Sequence, residues 1–116
     1  MELIVKYHGK NAIVRVTGNI LGDDRTQLHE KLQEVVDDGA ANVILNLKNV
    51  GLMDSVGLGM LVALQASLNR RNVRLILSDV GRSVEYLLII TKLSRIFKQY
   101  TTEDDALAAL EQKPRV

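Results

Sequence analysis

The chain has no cysteine and no tryptophan, and its 116 residues include only one phenylalanine, three tyrosines and one proline. Without cysteine there is no disulfide, no thiolate nucleophile and no thiolate zinc site, as is usual in a reducing compartment. Without aromatic platforms, base stacking on single-stranded nucleic acid is not available, and Val, Leu, Ile and Ala must fill the core. An excess of one charge is missing too. Fifteen Lys and Arg face fourteen Asp and Glu, a formal net charge of +1, too small to steer the protein to nucleic acid or an anionic membrane. No apolar run is long enough to cross a bilayer, and Met1 to Lys6 turns polar at once, unlike a signal peptide. A cytoplasmic protein with no membrane and no direct nucleic-acid partner is expected.

What is present is ordinary for a globular chain: 47% hydrophobic and 25% charged residues. A chain of this length fits one domain over residues 1–116, able to bury roughly 65% of its unfolded surface. The segment 113–116, with Pro114, is expected to fray as a tail.

Alternation of apolar and polar residues predicts two strands, Glu2 to Tyr7 and Ala12 to Thr17, around the turn His8-Gly9-Lys10-Asn11. After a loop from Asn19 to Gly22, Asp23 or Asp24 can cap a helix whose face is Leu28, Leu32, Val35 and Val36, and Gly39 ends it. Asn42 to Leu47 reads as a strand covered on both faces, Val43, Leu45 and Leu47 on one and Ile44 on the other. A helix from near Gly57 carries Leu58, Leu61, Val62, Leu64 and Leu68, and Val73 to Leu77 follows as a buried strand. Strand, helix, strand at this spacing is a right-handed crossover, with the intervening turn at the carboxyl end of a strand, where α/β proteins place their sites. Ser83 opens a third helix, Ile96 to Tyr100 is a short edge strand, and Thr102 with Asp105 forms a capping pair before the helix around Ala106, Leu107, Ala109 and Leu110. The expected fold is α/β, a mixed sheet of four to five strands with about four helices.

The turn Leu52-Met53-Asp54-Ser55-Val56-Gly57-Leu58-Gly59 is where chemistry concentrates. A serine before the first turn of a helix can serve as its N-cap, which accounts for Ser55. It does not account for Asp54, or for two glycines that each weaken a helix by up to roughly 1 kcal/mol relative to alanine. Gly57 and Gly59 point to the close approach of another backbone or of a partner.

Met53-Asp54-Ser55-Val56-Gly57-Leu58-Gly59, preceded by Val43-Ile44-Leu45-Asn46-Leu47, resembles the phosphorylation-site signature of the anti-sigma factor antagonists, the free-standing STAS domains of bacteria. Val16-Thr17-Gly18, the order of elements and the chain length fit the same resemblance. It implies partner switching. The unphosphorylated antagonist binds an anti-sigma factor that is also a serine kinase of the histidine-kinase-like ATPase type, and a sigma factor is released. Phosphorylation breaks the complex, and a PP2C-type phosphatase restores it. Carried over by position, Ser55 is the phosphoacceptor, Asp54 the acid that orients it or engages the kinase, and Val56, Gly57, Leu58, Gly59 and Asn19 belong with them to the partner surface. Asp54 is equally explained as a turn acid supporting the helix N-terminus. The chain departs from the family in two places. Val56 follows the serine where a small or hydroxyl residue is common, and the family's Thr-Gly-Glu-Leu-Asp reads Thr17-Gly18-Asn19-Ile20-Leu21, so two acids are absent. Asp23 and Asp24 can replace them only if the loop shifts.

Other chemistry fares less well. Met53 stands where a Gly-x-Ser-x-Gly nucleophile elbow needs glycine, and neither His8 nor His29 is placed as a base or metal ligand. Gly57-x-Gly59 lacks the Lys-Ser/Thr of a P-loop and the third glycine of a dinucleotide fingerprint. Arg70, Arg71 and Arg74 read as a solvated helix end. A non-enzymatic protein with no cofactor and no metal, a monomer or weak dimer, is expected. The competing reading is a STAS subunit of a signalling scaffold or lipid-transport complex that does not switch.

Overall fold

The computed structural model of the protein describes residues 1–111, the side chain of Arg25 aside, so the expected tail at 113–116 lies outside the described residues. Five strands form one sheet in the order β1 (Glu2–His8), β2 (Asn11–Thr17), β3 (Asn42–Asn49), β4 (Arg74–Ser78) and β5 (Lys98–Tyr100). The opening hairpin is antiparallel and every later pair is parallel, so the sheet is mixed as expected. Among the described residues four helices, α1 (Arg25–Asp37), α2 (Ser55–Arg70), α3 (Arg82–Ile90) and α4 (Glu103–Glu111), join the sheet in an α/β fold.

The period of two along the strands divides the helices between two faces. Ala12, Val14, Val16, Val43, Leu45, Leu47, Leu75 and Leu77 pack in one cluster with Leu28 and Leu32 of α1, Leu58, Leu61, Leu64 and Leu68 of α2, and Val84 and Leu88 of α3. The alternate residues Ile13, Ile44 and Ile76 pack on the other face against Ala106 and Leu107 of α4. Both faces of β2, β3 and β4 are therefore covered along the middle of each strand. Each fully buried Leu or Ile contributes roughly 1.5–3 kcal/mol.

Two residues further along each strand, the isoleucine row on the α4 face gives way to polar residues, with Arg15 paired to Asn46 and Asn46 to Ser78 in the sheet register. Glu103, at the start of α4, accepts from Arg15 Nε at 3.0 Å, Arg15 Nη2 at 2.7 Å and Asn46 Nδ2 at 2.7 Å. These contacts tie α4 to β2 and β3 and hold the Glu103 carboxyl below the usual carboxylate range. The Arg15 guanidinium is the main cause; burial opposes it and the Asn46 amide assists.

The structure corrects several boundaries. β3 runs on to Asn49, β4 begins at Arg74 rather than Val73 and reaches Ser78, β5 is only Lys98–Tyr100, and α3 opens at Arg82 behind Gly81, not at Ser83. A 3-10 turn, Gly22–Asp24, precedes α1, and neither aspartate caps the helix by its side chain. Asp24 Oδ2 accepts instead from Leu21 N at 2.9 Å, closing the loop on itself. Gly39 ends α1 as expected, at φ +105°, with its amide on Val36 O and that of Ala40 on Val35 O. Thr102 Oγ1 accepts from Asp105 N at 3.0 Å, the N-cap bond expected before α4.

Candidate functional site

The turn between β3 and α2 is zipped onto the loop that follows β2. Beyond the ends of the two strands, Gly18 N donates to Asn49 O, Ile20 N to Leu52 O at 2.9 Å and Asp54 N to Ile20 O at 3.3 Å, with Ile20 and Met53 forming an isolated parallel bridge. Ile20 and Met53 are buried and give the bridge an apolar underside. Backbone pairing thus holds the Asn19–Gly22 loop beside the turn that carries the serine.

Asp54 is the N-cap of α2, in extended backbone at φ −91° and ψ 173°. Its Oδ1 accepts from Gly57 N at 2.7 Å and its Oδ2 from Gly22 N at 3.2 Å. The expectation that Ser55 caps the helix is therefore corrected. α2 begins at Ser55 itself, not near Gly57, and the carboxylate one residue earlier takes the amide that a serine cap would have taken. Ser55 is exposed on the first turn, and no hydrogen bond among the described residues engages its hydroxyl.

The glycines separate. A β-carbon on Gly57 would collide with the Ile20 carbonyl oxygen, so the close backbone approach inferred from the sequence is real at this position. Gly59 is exposed, with open space where a β-carbon would stand, and among the described residues no other backbone approaches it. Gly22 has its own constraint, since a β-carbon there would lie 2.9 Å from Val56 Cγ1. Val56, the residue that departs from the family pattern, seats on that glycine and still shows half its surface.

Of the residues expected at a partner surface, Ser55, Val56, Gly59 and Asn19 are exposed, Asp54 is half-buried, and Gly57 and Leu58 are buried. Leu58 is corrected to a core residue at 2% exposure: it follows the helix period into the main cluster and cannot present its side chain outward. Asp23, Leu21, Gly22, Asp54 and Val56 line a shallow depression of about 410 Å³. With Asp24 turned onto the loop backbone, Asp23 is the exposed acid on its rim.

Sequence reasoning missed the surroundings. Leu52 is 52% exposed beside the turn, and Ser83 Oγ donates to Gly51 O at 2.7 Å, which ties the start of α3 to the same loop. Tyr86, Ile89 and Ile90 lie outward on α3 at helical spacing, a signal present in the sequence but obscured by the equally apolar inward face. His8 and His29 are exposed on β1 and α1. Arg71 is engaged by Gln33 and Asp37 of α1 and Arg74 by Asn42, so two arginines of the basic cluster join structural elements. No helix of the described residues is long and apolar enough to cross a membrane.

The STAS domain family model matches residues 2–106. The chain is 27% identical over 112 residues to the anti-sigma F factor antagonist of Paenibacillus polymyxa, covering 96% of each. It is 34% identical over 80 residues to the anti-sigma-B factor antagonist of Staphylococcus aureus, covering 69% of this chain and 74% of that one. Among solved structures, an anti-sigma factor antagonist from Mycobacterium paratuberculosis superimposes with a TM-score of 0.83 at 27% identity, over 96% of this chain and 94% of that one. SpoIIAA in its unphosphorylated form shares the fold, with a TM-score of 0.79 at 19% identity over 98% of this chain and all of that one. The chain belongs to the STAS domain family, in its group of anti-sigma factor antagonists.

Proposed function

We propose that the protein is an anti-sigma factor antagonist switched by phosphorylation of Ser55. The unphosphorylated turn binds an anti-sigma factor that is also a serine kinase of the histidine-kinase-like ATPase type, so that a sigma factor is released. A phosphate on Ser55 ends the interaction and a PP2C-type phosphatase restores it. On this reading the protein is a substrate of kinase and phosphatase and not a catalyst. The observation that carries it is the exposed Ser55 hydroxyl, uncommitted on the first turn of α2 while Asp54 does the capping. The relatives named for anti-sigma factor antagonism support the same reading, as does SpoIIAA, a protein of this fold solved in a phosphorylated form as well.

The physics is favourable. A phosphoryl group adds roughly 1.5–2 negative charges at a helix N-terminus, where the dipole and the free first-turn amides tolerate an anion. The domain keeps its fold. The same charge lies among the exposed apolar side chains of Leu52 and Val56, where a partner face matched to them must be desolvated against it. About 2.7 kcal/mol of such mismatch lowers affinity a hundredfold.

The test has two arms. Site-resolved mass spectrometry of the protein from its native cells, before and after stress, is expected to find phosphate on Ser55 at an occupancy that changes. Purified cognate kinase is expected to bind Ser55→Ala and to lose at least a hundredfold in affinity for Ser55→Asp. Unmodified Ser55 throughout, with binding indifferent to both substitutions, overturns the switch in favour of a constitutive scaffold subunit.

A further inference from the structure

The two outer edges of the sheet are unequal. β5 is three residues long, and so short an edge offers little to an incoming strand. β1 is seven residues long, without proline or glycine, and pairs with β2 residue for residue from Glu2↔Thr17 to His8↔Asn11 with no bulge. Among the described residues no strand pairs with its outer side, and its outward N–H and C=O groups form a regular ladder. Ile4 is 53% exposed on it, while Leu3 and Val5 are only half-covered by the main core.

The side chains are self-complementary. In an antiparallel pair of two β1 strands centred on Ile4, Ile4 meets its own copy and Leu3 meets Val5, which completes the core face. Glu2 meets Lys6 on the opposite face, twice by symmetry. Centring the pair on Val5 instead sets Lys6 against Ile4 and leaves it without a counter-charge. Charge and apolar pattern therefore select the same register.

We propose that the outer edge of β1 docks a second copy of this chain, joining two five-stranded sheets into one across a twofold axis at Ile4. The edge contains none of the Asp54–Val56 turn, so self-association and the proposed switch are separate properties. The dissociation constant is expected between about 10 µM and 1 mM, the weak end for so small an interface.

Analytical ultracentrifugation of the wild-type protein from about 1 µM to 1 mM is expected to show a reversible monomer–dimer equilibrium. Glu2→Lys and Lys6→Glu each set like charges opposite one another and are expected to weaken it by about tenfold or more. An equimolar mixture of the two variants restores both attractive pairs and is expected to regain wild-type association as a heterodimer. Ile89→Asp, on the outward face of α3, is expected to leave it unchanged, with circular dichroism showing each variant folded. A wild-type protein monomeric throughout overturns the proposal. So do a dimer indifferent to both edge substitutions, a mixture that fails to associate, and a dimer abolished by Ile89→Asp.

Discussion

The carboxylate of Asp54 reaches the amide of Gly22, 32 residues earlier in the chain, at 3.2 Å, while its other oxygen holds Gly57 N at 2.7 Å. One side chain thus caps α2 and anchors the loop after β2 against it. Asp54→Ala releases both amides and is expected to cost about 2 kcal/mol, the upper end for an N-cap because a second bond goes with it. Asp54→Asn keeps one acceptor and is expected to cost half of that or less. Urea denaturation at constant slope separates the two. Equal losses for both variants would mean that the charge matters and the acceptor geometry does not.

The two glycines of the helix start make opposite predictions. Gly57→Ala gains helix propensity of up to about 1 kcal/mol but drives a methyl group into the Ile20 carbonyl, which the parallel bridge holds in place. A net loss of about 2 kcal/mol is expected. Gly59→Ala meets open space and is expected to stabilise by about 0.5–1 kcal/mol. Thermal melts of the pair check this, and a Gly59→Ala variant that is more stable yet binds the partner less well would place Gly59 in the contact.

Where one element alone decides, the sequence was legible. Ile44 set against Val43, Leu45 and Leu47 predicts a strand covered on both faces, and the apolar pattern of α2 predicts its buried side; that Ile13 and Ile76 continue the row of Ile44 beneath α4 emerges only from the sheet register. What was not legible depends on elements far apart in the chain. Ser55 and Asp54 are both good N-caps, and the loop carrying Gly22 favours the aspartate by giving its second oxygen a donor. Gly57 and Gly59 look alike until Ile20 is laid over one of them. Glu103 reads as a first-turn helix acid, and nothing local links it to Arg15, 88 residues away.

Because Ser55 is exposed and does not cap, its removal should be almost free. Ser55→Ala is expected to change stability by no more than about 0.5 kcal/mol, against about 1 kcal/mol for the loss of a serine cap. The measurement separates the two roles without a partner: a loss of 1 kcal/mol or more would return Ser55 to a structural part and remove the freedom that a phosphoacceptor needs.

Glu103 makes stability depend on pH in a defined direction. Hydrogen bonds from Arg15, opposed by burial and helped by Asn46, hold its carboxyl below the usual range in the folded protein. The folded state therefore binds the proton less readily than the unfolded state does. The stabilisation is fully present above the ordinary carboxylate value of about 4.3 and is lost as pH falls through it toward the lowered folded value. Glu103→Gln removes the charge and keeps the shape. Since the Arg15 side chain is 40% exposed, solvent screens the pair, and a loss of about 1–2 kcal/mol at pH 7 is expected. The difference between wild type and variant should shrink steadily as the pH of the urea titration is taken below the usual carboxylate range. A difference that stayed constant into acid would show that Glu103 acts through packing alone, and that the ionised carboxylate is not what fastens α4 to the sheet.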